Sequence, residues 1–315
     1  MSPGSAEPRL TSIVLTFNSE KTIECVVRAV GGVSSRVIVV DSGSTDRTRE
    51  IAEAAGAEFI EHPFENYSRQ RRWAQEIAGL GPDEWVLHVD SDEVLSDELA
   101  KSVQAAVTSP PSGVDGFLVQ RLSYFWGKPI RHGHMNPSWH LRLYRAGKGR
   151  CEDRLYDQHY VIDGESAKLK GHLLDLQWVD LYSWTASHNR WSSAEAQERL
   201  SLEEPSEDQL QASLVGDRRE RKRWLKNNIW YRMPLFARPA AFFIYSYFIK
   251  LGFLDGTSGL VYHVLQAFWF RFLVDAKILE HHRYPQLLNM PPTEEWLARN
   301  GASFSVGKEA PEAEG

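Results

Sequence analysis

The chain has little cysteine and offers no sulfur framework for holding a fold or a metal. Cys25 and Cys151 are the only two among 315 residues. No C-x-x-C pattern joins them, so neither a disulfide scaffold nor a zinc site is expected, and a reducing, cytosolic setting is the simplest reading. An excess of positive charge is also missing. Lys and Arg number 36 against 42 Asp and Glu, a formal net charge of −6, which argues against a nucleic-acid partner. Residues 1–11 lack the basic start and apolar run of a secretory signal. No clean run of about 20 apolar residues is available to span a membrane. The G-x-G-x-x-G dinucleotide fingerprint and a glycine- and lysine-rich phosphate loop are absent near the first strand. What is present is a globular composition, 42% hydrophobic and 25% charged, in a length that suits one large domain or one domain with an appendage.

The first ninety residues alternate in period. Ser12 to Phe17, Arg36 to Val40, Ala57 to Glu61 and Trp85 to Val89 read as short buried strands. Between them, Ile23, Val26, Val27 and Val30 repeat at helical spacing, Arg47 to Ala55 ends at Gly56, and Tyr67 to Ala78 forms a third helix. Strands and helices alternating at this spacing predict βαβ units and a mainly parallel sheet. Further on, Gly116 to Trp126, Trp139 to Arg145 and Lys168 to Leu176 read as strands that continue it.

Three stretches at strand ends carry candidate chemistry. Trp85-Val-Leu-His-Val-Asp-Ser-Asp-Glu93 runs from a strand into Asp90 and Asp92. In extended backbone these two point to one side. Two convergent carboxylates at the carboxyl end of an open α/β sheet suit Mg²⁺ or Mn²⁺ with substrate phosphates. Taken alone, the same pair reads equally as an acidic turn before a helix. Asp41-Ser-Gly-Ser-Thr-Asp46 joins a strand to a helix, where amides and hydroxyls could hold an anion. Its plain alternative is a capping turn. Arg69 and Arg72 lie three apart on one helical face and could meet a diphosphate, or could simply be solvated.

Thr16-Phe-Asn18, Val39 to Asp46, the Arg69-Gln-Arg-Arg-Trp-Ala74 helix and Asp90-Ser-Asp-Glu93 together resemble the family 2 inverting glycosyltransferases. Within them the chain is most similar to the branch of bacterial lipopolysaccharide-core and capsule sugar transferases. The resemblance implies a GT-A fold, a Rossmann-like mixed, mainly parallel sheet flanked by helices, with a nucleotide-diphosphate sugar (most often a UDP-sugar) as donor and Mn²⁺ or Mg²⁺ as cofactor. It further implies that Thr16, Asn18 and Asp41 contact the nucleoside, with Ser44 and Asp46 nearby, and that Asp90, Ser91 and Asp92 form the D-x-D element, Asp92 being the firmer metal ligand. A third ligand would fall at Asp175, where relatives frequently carry His; His172 lies three residues earlier.

Inversion requires a general base for the acceptor hydroxyl. The resemblance places an acid after an apolar–aromatic pair, which matches Asp157 in Leu155-Tyr156-Asp157, with Asp153 as second choice. This chain has Asp where many relatives have Glu preceded by His. The loop Gly127 to His134, with His132 and His134, is suited to lining a sugar or acceptor pocket.

The C-terminal third differs in character. Acidic, polar residues 203–217 precede a basic cluster, Arg218, Arg219, Arg221, Lys222, Arg223, Lys226 and Arg232, followed by aromatic-rich runs at 233–254 and 260–273. Basic residues beside such helices read as an interfacial membrane anchor, with buried helices packing on the catalytic domain as the alternative. The expected organisation is a disordered N-terminus (1–10), a GT-A catalytic domain (11–180), a helix with acidic linker (181–217), an amphipathic, membrane-associating helical extension (218–298) and a disordered tail (299–315). The implied partners are a UDP-sugar, a lipid-linked glycan acceptor and the inner face of the cell membrane, with homo-oligomerisation left open. A non-catalytic nucleotide-sugar-binding module and a nucleotidyltransferase are the rival readings.

Overall fold

The computed structural model describes residues 9–153, 158–201, 233–285 and 299. Strands β1 (Leu10–Thr16), β2 (Arg36–Asp41), β3 (Glu58–Glu61) and β4 (Trp85–Asp90) alternate with helices α1 (Ile23–Gly31), α2 (Thr48–Ala54) and α3 (Tyr67–Ile77). Then come β5 (Glu93–Leu95), α4 (Asp97–Thr108), β6 (Val114–Phe125), β7 (Lys128–Pro129), β8 (Ser138–Arg145), β9 (Gly149–Cys151), β10 (Tyr160–Ile162) and β11 (Glu165–Asp175). The main sheet runs in the order β3-β2-β1-β4-β8-β6-β11-β5, with β7 attached to β6. Neighbours among the first four strands are parallel. β8 is antiparallel to β4 and β6, β11 is parallel to β6, and β5 is antiparallel to β11.

The first four strands are apolar because helices cover both their faces. Val14, Val39, Leu87 and Val89 pack on one side with α1 and α4, through Val26, Val30, Leu99 and Val103. Ile13, Leu15, Ile38, Val40 and Val86 pack on the other with Ala74 and Ala78 around α3. Chain order reverses at β1, whose successor in sequence lies on one side and β4 on the other. A crevice therefore opens at the carboxyl ends of these strands. Helix ends are fixed locally: Asn66 accepts from the Arg69 amide and Ser96 from the Leu99 amide.

The described C-terminal residues are mainly helical and pack on the sheet domain. α5 (Leu181–Ser201) lies against α8 (Phe270–Arg283). Phe270, Val274 and Ile278 meet Ala196 and Trp191, and the buried Asp275 carboxylate pairs with Arg238 and Arg199. Between them, α6 (Ala237–Ile244) continues as a π-helical turn to Ile249, and α7 (Gly256–His263) continues likewise into α8. This hairpin leaves Ile244, Phe248, Ile249 and Leu254 each more than half exposed. Among the described residues, no helix is long and apolar enough to cross a membrane.

Candidate functional site

The crevice is built from the turns that follow β1, β2 and β4. After β1 the Asn18 amide donates to Ser44 Oγ (2.7 Å), and Asn18 Oδ1 accepts from the Thr45 amide (2.9 Å). Asp41 is buried and collects the Gly43 amide (2.9 Å), the Ser44 amide (2.7 Å) and the Ser44 hydroxyl (2.5 Å). Asp46 ties the same loop to its neighbour, accepting from the Glu20 amide at 3.1 Å and the Thr48 amide at 3.0 Å. Thr16 Oγ1 is buried and has no hydrogen-bond partner. Ser91 bonds Ser19 through their hydroxyls (2.7 Å) and donates its amide to Leu15 O (3.1 Å), which fastens the D-x-D turn to the β1 turn. Thr16, Asn18, Asp41, Ser44, Asp46, Asp90, Ser91 and Asp92 are thus all brought to the carboxyl ends of adjacent strands.

Around Asp90 and Asp92 the structure assembles a dense charge centre. Asp90 is met by Arg71 (3.1 Å) and Arg142 (3.0 Å). Burial opposes its charge, yet the Arg142 and Arg71 guanidiniums hold its carboxyl well below the usual carboxylate range. Glu93 is fully buried, bonded to Arg142 (2.7 Å) and to the Asp90 amide (3.0 Å). Asp175, at the end of β11, accepts from Ser123 Oγ (2.9 Å) and Gln177 Nε2 (3.0 Å) and faces Arg121 (3.3 Å). The Leu176 amide donates to Asp92 O (2.9 Å), joining β11 to the D-x-D turn. For Asp92, burial and then the Asp175, Glu93 and Asp90 carboxylates push the pKa well up. Three guanidiniums therefore meet four carboxylates, and burial with the neighbouring carboxylates opposes the ionisation of Asp92.

Beneath lies an aromatic floor. Arg71 stands over the Tyr160 ring at 5.5 Å, and His88 packs on Tyr160 at 4.6 Å. Neither ring nitrogen of His88 has a hydrogen-bond partner. Burial, then the charges of Arg71 and Arg142, lower its pKa to about 3, so His88 is neutral.

Other residues singled out from the sequence lie elsewhere. Arg69 is exposed and pairs with Glu65, while Arg72 donates to Cys151 O (2.9 Å) and lies 3.8 Å from Asp153. Asp153 is largely exposed, and Asp157 lies outside the described residues. The loop holding His132 and His134 is clamped to the C-terminal hairpin rather than left to a pocket. His132 Nδ1 meets Asp255 (2.7 Å), His134 Nδ1 meets Ser246 Oγ (2.7 Å), and the Gly133 amide donates to Lys250 O (2.9 Å).

Arg71, Arg121 and Arg142 carry no spacing that pairs them with Asp90, and Glu93, three residues from it in the Asp90-Ser-Asp-Glu93 motif, shows no local sign of its burial. Arg142 alternates with Leu141 and Leu143 and reads as a solvent-facing strand residue. Its burial follows from β8 lying beside β4, which only the fold decides.

Carboxylates packed among guanidiniums, at the switch point of an open sheet, define an α/β protein with a densely charged crevice at the carboxyl ends of its strands. Residues 11–162 match the model of glycosyl transferase family 2. An uncharacterized glycosyltransferase of Rickettsia bellii is 35% identical over 96 residues, 30% of this chain and 32% of that protein. The match therefore spans about a third of the length of that relative. A lipopolysaccharide core biosynthesis glycosyltransferase of Rhizobium meliloti is 24% identical over 284 residues, 87% of this chain and 93% of that protein. Among solved structures, glucosyl-3-phosphoglycerate synthase from Mycobacterium tuberculosis with Mn²⁺, UDP and glucosyl-3-phosphoglycerate is 21% identical. That match covers 40% of this chain and 50% of that one with a TM-score of 0.30.

Proposed function

We propose that the protein is a metal-dependent, inverting glycosyltransferase that moves a sugar from a nucleotide-diphosphate donor, a UDP-sugar, to a hydroxyl of a lipid-linked or polysaccharide-precursor acceptor. One observation carries this reading: at the crevice where the strands converge, four carboxylates, Asp90, Asp92, Glu93 and Asp175, gather with three guanidiniums, Arg71, Arg121 and Arg142.

A divalent cation fits that imbalance. Among the described residues no group of three or more His, Cys, Asp or Glu side chains is arranged as a ready metal site. Asp92 and Asp175 would hold Mn²⁺ or Mg²⁺ together with donor phosphate oxygens, since these ions usually take one or two carboxylates and complete their shell from the substrate. Bound there, the ion would neutralise the diphosphate and act as a Lewis acid for its departure. Asp90, already held by two guanidiniums, serves mainly to position Arg71 and Arg142. The Asn18–Ser44–Asp41 network supports a nucleoside site. Asp157, with Asp153 second, would take the acceptor's proton as its oxygen attacks the anomeric carbon from the face opposite the leaving group.

The lipid-linked acceptor and a peripheral position on the inner membrane face draw support from the exposed apolar hairpin around Ile249 and Leu254, and from the basic residues 218–232 that precede it in sequence. The Rhizobium relative, a lipopolysaccharide core biosynthesis glycosyltransferase, supports the same class of acceptor.

The test is calorimetric titration of UDP with Mn²⁺, without metal, and with Asp92→Ala protein. Metal-dependent binding that the variant loses is expected. Equal binding in all three refutes the metal assignment. Binding without sugar transfer, unaffected by Asp157→Ala, leaves a nucleotide-sugar-binding module; no UDP binding removes the donor assignment.

A further inference from the structure

A groove opens between the β1–α1 connection at Lys21 and the β11–α5 connection at Gln177 to Asp180, closed at one end by the β6–β7 turn at Trp126 and Gly127. Two tryptophans flank it, Trp126 at 50% and Trp178 at 59% exposure. Neither contributes much to the core, and both sit where the backbone is strained. Phe125 pairs with Lys128, so Trp126 and Gly127 form a two-residue hairpin turn, with φ of 52° and 70°. That turn favours Asn-Gly or Asp-Gly. A bulky residue at its first position is disfavoured, because its Cβ crowds the following carbonyl there. Gln177 also has positive φ, at 40°. Its side chain is held at both ends, donating to Asp175 (3.0 Å) and accepting from Trp184 Nε1 (2.9 Å), and the next residue, Trp178, is turned outward.

The Gln177 to Asp180 wall follows β11, which the sheet order places beyond β4 from the Asn18–Asp41–Asp46 network of β1 and β2, while Lys21 on the opposite wall shares the β1–α1 connection with Asn18. The groove therefore borders the nucleoside network on one side only. The lining combines flat indole faces with an ammonium, an amide and a carboxylate. A pyranose has the matching chemistry, C–H faces that pack on aromatic rings and hydroxyl edges that need polar partners. A purely aliphatic chain would leave Lys21, Gln177 and Asp180 unanswered.

We propose that this groove is a carbohydrate subsite for the acceptor, with sugar rings packed on Trp126 and Trp178. The proposal rests on the glycosyltransferase reading above. The strain at Trp126 and Gln177 is the structural cost of presenting the two indoles at this groove.

The test uses the full chain with two variants chosen to keep the fold: Trp126→Asn, which suits positive φ, and Trp178→Ala, at an exposed site. The probe is lipid-free core oligosaccharide released from lipopolysaccharide by mild acid, titrated by tryptophan fluorescence and calorimetry, with UDP and Mn²⁺ titrated in parallel. Each variant is expected to raise the oligosaccharide half-saturation about tenfold, the size of one lost aromatic contact, and to leave UDP affinity within about twofold. Wild-type-like oligosaccharide binding by both variants overturns the proposal. So does a parallel loss of UDP affinity, which makes the groove a nucleobase site, and so does a wild type that ignores the oligosaccharide. Oligosaccharide binding that depends on the tryptophans in a protein that does not bind UDP upholds the groove and removes the donor reading instead.

Discussion

Arg142 gives the most direct measure of how the charge centre is held. Its side chain is 5% exposed, and one terminal nitrogen bonds both Asp90 (3.0 Å) and the fully buried Glu93 (2.7 Å). Arg142→Met keeps length and removes charge, turning four carboxylates against three guanidiniums into four against two. Breaking a buried pair by removing one partner costs about 3–5 kcal/mol because the other charge stays desolvated. With about 2–4 °C of Tm per kcal/mol for large domains, the melting temperature should fall by about 10 °C at pH 7. The sign of the pH dependence separates this from lost packing. Arg142 and Arg71 hold the Asp90 pKa down against burial, so the pairing contributes stability above the unfolded value near ~3.9 and loses it as pH falls through the folded value. Without Arg142 that contribution shrinks. The deficit should therefore be largest at neutral pH and narrow towards pH 4, as Asp90 and Glu93 gain protons. Thermal melts at both pH values, in EDTA, with Glu93→Gln added to the variant, make the check. A fall under about 2 °C, or a deficit equal at the two pH values with no recovery in the double variant, would falsify the electrostatic account.

Asp92→Asn should leave the metal-free protein at least as stable as wild type at pH 7. A raised folded pKa is a destabilisation that grows as pH rises above the unfolded value, and melts in EDTA that show a less stable variant sink the idea. His88, held neutral with a pKa of about 3, binds a proton only when the chain unfolds, so it removes about 1.4 kcal/mol of stability per pH unit as pH falls below ~6.5. His88→Phe, filling the slot against Tyr144 and Tyr160, should flatten the acid side of the stability–pH curve, and an unchanged slope rejects this. At Gly171, φ is 86° and an added Cβ would meet the Leu99 backbone. Gly171→Ala should lower stability by more than about 1 kcal/mol in urea unfolding, whereas a neutral result means that β11 shifts freely against α4.

Local pattern in the chain was enough for the first four strands and the helices between them. Valine- and isoleucine-rich runs bounded by Gly31-Gly32 and Gly56 have one compact solution, a parallel sheet covered on both faces. The same alternation brought Thr16, Asn18, Asp41, Asp46, Asp90 and Asp92 to one edge, because each ends or follows a strand of a single parallel set. β5, whose partner β11 lies far along the chain, and the β9–β10 pair gave no such signal, being three residues each. The electrostatic identity of the site also escaped the sequence. Arg142 is 52 residues from Asp90, and nothing local marks it as buried until β8 is laid against β4. Of three arginines on α3, the helix phase set by Ala74 against the sheet turns Arg71 inward, while Arg69 and Arg72 face other partners. The His132–His134 loop reads locally as a pocket lining, yet its amides and imidazoles are taken by Asp255, Ser246 and Lys250. Sequence by itself determined where the carboxylates end up, since strand ends are a local property. Tertiary structure alone decided which charges surround them and which aromatic rings face the crevice, because those contacts join segments whose spacing along the chain carries no physical record of their meeting.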